Sequence, residues 1–363
     1  MITRTLRDLL WLGSGLALAG FVFVVFRRIL HATPADPVEG LILEHVARVA
    51  SQQPLYVEPA AATPSLMPGF PLALSMLAGI FGPHLWEPRA LSMLAALATA
   101  GLVGAAVWIE TLSWTLAVTS GGCALAGYGL LVGRPEVARP EIVMMALVLA
   151  GFVALRTVKR ATGAVAAAIF LTAAWTVHAQ AAWYAAAALF YLVYEERPRL
   201  IAFAAAVVVL GSISYVALSM TLGPWFNFSA WDALVQSLSF NPAGLVQYAG
   251  DELLGRLGVL TMAVVLSFAL PTQPWLGPGG MWICVSVATV GAGLVTTQSA
   301  FAGSQLLVPS VVALAIVGPV SLQRITRHLS AWPGSSRLGG EGVVLAGLSL
   351  QFLMYLSRLS SHF

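Results

Sequence analysis

The sequence predicts an all-α polytopic membrane protein: about eleven transmembrane helices, with a long extracytoplasmic loop after the first. Three observations predict it. Apolar residues make up 59% of the 363 and charged residues only 9%, where soluble domains carry about 25% charged residues. Apolar, nearly uncharged runs recur along the chain, and about 20 such residues in a helix cross a hydrocarbon core of roughly 30 Å. The segment 27–89 between the first two runs is too long for a turn and has an apolar periodicity of its own,.

The runs are 8–26, 90–109, 113–132, 142–156, 161–176, 180–194, 200–221, 257–271, 281–298, 304–322 and 339–356. The fifth and sixth form one apolar stretch, and "TVHAQ" at 176–180 divides it. The first run follows Arg4 and Arg7, as a secretion signal would. Arg27 and Arg28 follow it instead of a small-residue cleavage site, so it reads as a retained signal anchor,. One transmembrane domain, 1–363, accounts for the whole chain. No repeat of 20 to 50 residues is evident, and 331–341, "AWPGSSRLGGE", reads as a linker,. Cys123 and Cys284 each lie inside an apolar run, without a disulfide or metal pattern,. The formal charge of +3 is small, and nothing in its placement suggests nucleic acid.

Loop charge sets the orientation. With the N-terminus in the cytoplasm, the inside gathers Arg4, Arg7, Arg156, Lys159, Arg160, Arg197, Arg199, Arg324, Arg327 and Arg337, ten of the 18 basic residues. The outside then holds the first loop, "GRPEVARPE" at 133–141, the turn at His178, the loop 222–256 and "QSAFAGSQ" at 298–305. Almost every polar group able to do chemistry falls on that one face.

Inside the first loop, Val38, Leu41, Ile42, Val46 and Val49 fit one helix face, and Glu39, Glu44, His45 and Arg48 fall on others,. Asp36 is placed to cap this helix and Pro37 to open it. It reads as an amphipathic helix on the membrane surface. A second short apolar helix, 70–81, is ended by "GPH" at 82–84. Pro59, Pro64 and Pro68 stiffen the connection between the two,.

This order of parts resembles the polyprenyl-phosphate-sugar-dependent membrane glycosyltransferases of the GT-C fold, such as the protein O-mannosyltransferases and the aminoarabinose transferases. The resemblance rests on "DPVEG" (36–40), "PLYVEP" (54–59), "TPSLMPGFPLALSMLAGIFG" (63–82), "PRALSMLAALATAGL" (88–102) with its Arg-x-x-Ser, and "ARPEIVMMALVLAG" (138–151). More weakly, it extends to "WTVHAQAAWYAAAALFYLV" (175–193). It implies transfer of a sugar from a polyprenyl phosphate to an acceptor on the extracytoplasmic side of a cell's inner membrane. Such chemistry needs a carboxylate that deprotonates the acceptor hydroxyl or holds a divalent metal ion. It also needs a cation beside the departing lipid phosphate. Where relatives place Asp beside Glu, this chain has Val38-Glu39, with Asp36 two residues earlier.

The resemblance makes Glu39 and Asp36 the catalytic candidates, and Arg139, Glu141 and His178 the substrate-binding ones. Arg139 either holds phosphate bidentately, pairs with Glu141 or Glu136, or anchors a helix end. His178, an ionisable group inside an apolar stretch, is either a functional group or a hydrogen-bonded structural one. Arg89 is expected to hold the first loop. Trp225, Phe228 and Trp231 read as an interfacial aromatic belt. A second reading makes the chain a non-catalytic descendant of this fold, a structural or assembly subunit with protein partners in a larger membrane complex. The thinness of its charged apparatus motivates that reading.

Overall fold

The structure, a computed structural model, describes residues 2–58, 67–131, 137–195, 197–232, 235, 238–268, 279–298, 307–330 and 340–357. Among them there is no β-strand. In chain order the helices are α1 (Ile2–Arg28), α2 (Pro37–Ala50), α3 (Gly69–Phe81), α4 (Trp86–Thr111), α5 (Trp114–Leu131), α6 (Pro140–Thr157) and α7 (Ala161–Val177). Then come α8 (Ala181–Glu195), α9 (Arg197–Leu222), α10 (Pro242–Gln247), α11 (Gly258–Phe268), α12 (Gly280–Thr296), α13 (Leu307–Ser330) and α14 (Gly340–Ser357). All eleven apolar runs are helices, and the division at 176–180 separates α7 from α8. Five helices, α1, α4, α6, α9 and α13, are long and apolar enough to cross a membrane by themselves. The chain is an integral membrane protein.

Helix α13 forms the axis. It packs on α4, α5, α6, α11, α12 and α14, and 78% of its most apolar window is buried. Helix α1 leans on α5 and α14, while α9 touches mainly α7 and α8 and keeps only 6% of its window inside. Little hydrophobic force draws helices together in lipid, so close packing has to do it. Small residues permit that approach. A Cβ on Gly121 would stand 2.8 Å from the carbonyl oxygen of Ala100, and one on Gly122 would stand 2.5 Å from the Ser14 side chain. This binds α5 to α4 and α1.

The first loop folds onto one end of the bundle. Helices α2 and α3 pack together, and α3 rests on α4 and α7. Gly82 ends α3 with φ 83°, a conformation that favours glycine,. In the second loop, Phe228–Asp232 and Tyr248–Arg256 are π-helical. The linker residues 331–339, the loop residues 299–306 and Pro59 and Pro64 lie outside the described residues.

Candidate functional site

Asp36 and Pro37 open α2 as their types require. Asp36 has extended backbone, and its Oδ1 accepts the N–H of Val38 at 2.8 Å, with Pro37 starting the helix,. The buried stripe of α2 is Glu39, Ile42 and Val46. This corrects the periodicity reading, which put Glu39 on a different face from Ile42 and Val46. A buried carboxylate needs compensation, and here Arg89 supplies it.

Arg89 stands in the first turn of α4. Its Nε donates to Glu39 Oε1 at 2.9 Å and its Nη2 to Glu39 Oε2 at 2.8 Å. The backbone N–H groups of Ala138 and Ala35 donate to the same two oxygens, at 2.8 and 2.9 Å. The guanidinium also donates to the carbonyls of Arg28 (3.2 Å), His31 (2.7 Å) and Thr33 (3.0 Å). Arg89 therefore ties the end of α1, the start of α2 and α4 into one knot. Burial pushes the Glu39 carboxyl up, but the hydrogen bonds from Arg89, Ala35 and Ala138 outweigh it and hold the pKa below its usual value. A carboxylate has about four lone-pair sites, and all four are taken. Glu39 has none left with which to take an acceptor's proton or hold a metal.

The bond to Ala138 draws the start of α6 against α2. Arg139 is the N-cap of α6. Its N–H donates to Ser92 Oγ at 2.9 Å, and Ser92 Oγ donates to the Arg139 carbonyl at 3.4 Å. The three-residue spacing of Arg89 and Ser92 puts them on one helix face, where one holds Glu39 and the other holds Arg139. The Arg139 side chain is 6% exposed, yet its Nε has no partner among the described residues. A buried guanidinium nitrogen in this state is a donor that a bound anion or a water would satisfy. The N–H groups at the start of α6 add partial positive charge beside it.

Glu141 lies in the first turn of α6, buried, with no hydrogen-bond partner among the described residues. His178 is the C-cap of α7. His178 Nδ1 accepts the N–H of Gln180 at 3.3 Å, which leaves the proton of the neutral ring on Nε2,. Gln180 Nε2 donates to Thr296 Oγ1 at 2.7 Å and ties this turn to α12. The structure thus joins Glu39 to Ala138, the residue before Arg139. Arg134 and Glu136 lie outside the described residues.

An apolar groove of about 490 Å³ runs between α7, α8 and α9. Trp175 and Ala181 line it on either side of the His178 turn, and Tyr215 lines it from α9. Leu55, Tyr56, Met67 and Phe226 pack over the same Trp175 and Tyr215, so the two loops meet above the groove. The sequence reading assigned no role to Ser92, Trp175 or Tyr215. The Arg-x-x-Ser spacing pointed to Ser92, but nothing local marks the other two. Among the described residues, no group of three or more His, Cys, Asp or Glu side chains is placed to share a metal.

These features belong to an all-α integral membrane protein with a GT-C-like fold. No family model and no curated protein matches the chain. Among solved structures it is similar to ArnT from Cupriavidus metallidurans in the apo state, with a TM-score of 0.62 and 14% identity over 94% of this chain and 76% of that one. The same protein bound to undecaprenyl phosphate gives a TM-score of 0.61 over the same shares. At this identity the likeness is one of fold.

Proposed function

We propose that the chain binds a polyprenyl phosphate and transfers the sugar it carries, as a GT-C-type glycosyltransferase of the cytoplasmic membrane. The buried Arg139 guanidinium, whose Nε has no partner among the described residues, carries this reading. It lies in the same α2–α4–α6 assembly as Asp36 and two residues from Glu141. His178 caps the end of α7 between Trp175 and Ala181 in the chain, and those two residues line an apolar groove suited to an isoprenoid chain. The solved relative in fold that binds undecaprenyl phosphate supports it further.

In this proposal Arg139 and the His178 Nε2–H hold the phosphate and stabilise it as it leaves. Asp36 takes the proton of the acceptor hydroxyl; Val38 occupies only its Oδ1,. The acceptor oxygen bonds to the anomeric carbon as the bond from that carbon to the phosphate oxygen breaks. Glu39 positions the site without touching substrate. No step passes through a metal. We also infer that the N-terminus is cytoplasmic and the α2–α3 face extracytoplasmic.

The test is binding and transfer with a polyprenyl-phosphate sugar in proteoliposomes. Arg139→Ala is expected to lose donor binding at least tenfold, and Asp36→Asn to keep binding and lose transfer. Equal binding by wild type and Arg139→Ala would overturn the phosphate site. A second reading, a non-catalytic subunit of a membrane complex, draws on the saturated Glu39 and on Val38 where relatives place an acid. Donor binding without transfer, together with stoichiometric copurification from native membranes, would favour it.

A further inference from the structure

A narrow cavity of about 380 Å³ lies between α11, α12 and α13 and shares no lining residue with the groove at Trp175. Its polar lining is the hydroxyls of Thr261, Ser286, Thr289 and Ser310, and among the described residues no charged side chain lines it. Three of these hydroxyls are engaged. Thr261 Oγ1 donates to the Leu253 carbonyl at 2.8 Å, and Thr289 Oγ1 to the Val285 carbonyl at 2.9 Å. Ser310 Oγ shares a hydrogen bond with Tyr248 Oη at 2.8 Å.

Ser286 differs from all three. It is 8% exposed, and its Oγ has no partner among the described residues. A serine or threonine inside a helix can bond back to a carbonyl of the preceding turn, as Thr289 and Thr296 do on the same helix. Ser286 makes no such bond, and a buried hydroxyl without a partner is destabilising. Its donor is available to a group inside the cavity.

The shape limits what that group belongs to. Ile283 and Leu294, eleven positions apart on α12, both line the cavity. A rise of about 1.5 Å per residue gives it a length of about 16 Å, near half of a hydrocarbon core of roughly 30 Å. The mean cross-section is then about 24 Å², against about 80 Å² for a helix of about 10 Å diameter,. A partner's helix does not fit, and one extended hydrocarbon chain does. Val265 and Val287 on the rim are 53% and 63% exposed, so the cavity opens on the apolar flank of the bundle. An isoprenoid chain carries no acceptor for Ser286, and a free carboxylate would meet no cation. We propose that the cavity holds one acyl chain of an ester glycerolipid, with its ester carbonyl accepting the Ser286 hydroxyl. The proposal does not rest on the glycosyltransferase reading.

The full chain in nanodiscs of ether phospholipid tests this with a monoacylglycerol that bears a photoreactive diazirine on its chain. Crosslinks are expected on α11, α12 and α13. Unlabelled monoacylglycerol should compete about fivefold better than the monoalkyl ether of the same length, the scale of one hydrogen bond. Ser286→Ala should erase that preference and keep the crosslinks. Val290→Phe, at a half-buried position of the lining, should abolish the crosslinks. If it fails to fold, Val287→Phe at the exposed rim carries the same comparison. Arg139→Ala should change neither readout, which separates this cavity from the donor site. Unchanged crosslinks in a folded phenylalanine variant, or an ester preference that survives in Ser286→Ala, overturns the proposal. So does stronger competition by a polyprenol, which would make the cavity an isoprenoid site, or an absence of crosslinks in wild type, which would leave Ser286 to a water.

Discussion

Glu39 and Arg89 lie 50 residues apart in the chain and are 0% and 1% exposed in the fold. Breaking a buried pair leaves an uncompensated charge, so Glu39→Ala or Arg89→Ala alone should cost about 3–5 kcal/mol. Replacing both with apolar residues of similar volume should cost much less than the sum, because no orphan charge remains. Thermal melts of the singles and the double in one detergent measure this, and additive losses would argue against a mutually compensating pair. The pair also sets a pH dependence. The folded Glu39 pKa is depressed, so its stabilising contribution is complete above the ordinary value of 4.5 and is lost as pH falls through the lower folded value,. Melting temperature should therefore fall on acidification below that value. Glu39→Gln should flatten this dependence; an equally steep acid loss in that variant would assign it to another group.

Helices were legible because hydropathy and period are local properties. The eleven apolar runs, the break at "TVHAQ", the Asp36 cap and the end of α3 at Gly82 can all be read within a dozen residues. The part that sequence could not supply is long-range. Glu39 finds Arg89 at 50 residues and Ala138 at 99, and no periodicity names those partners. Its burial therefore contradicts the amphipathic pattern of α2 taken alone. The π-helical turns of the second loop were illegible for another reason: a shift to i→i+5 bonding leaves no clear mark on side-chain spacing. One element contact gives a direct test. A Cβ on Gly69 would stand 2.6–2.7 Å from Thr176 Oγ1 and from its backbone carbonyl, where α3 meets α7. Gly69→Ala must displace backbone and should cost about 1–3 kcal/mol. Gly79, on the same helix, has nothing within 4 Å of the added Cβ. Gly79→Ala should be neutral, or stabilising by up to about 1 kcal/mol through helix propensity. Equal melting temperatures for the two variants would refute the close α3–α7 contact.

At the scale of the molecule, the candidate phosphate site at Arg139 lies at the end of the bundle where α2 packs against α4 and α6. The opposite face is built differently. Glu110 accepts from Arg156 Nε at 2.7 Å and from Trp282 Nε1 at 3.1 Å, which ties the ends of α4 and α6 to the start of α12. Its pairing serves assembly, and the loop basic residues around it match the cytoplasmic bias. The proposed orientation follows from this contrast and can be checked without knowing any substrate. Cys123 is buried and Cys284 half-buried, so background labelling by a membrane-impermeant maleimide should be low. Glu44, exposed on α2, and Arg160, exposed between α6 and α7, mark the two faces. In intact spheroplasts Glu44→Cys should label at once, whereas Arg160→Cys should label only after permeabilisation. The reverse pattern would invert the topology and move the Arg139 site to the cytoplasmic leaflet, where an acceptor outside the cell could not reach it. Labelling of both in sealed cells would mean that α4, α5 and α6 do not cross the bilayer an odd number of times between these markers.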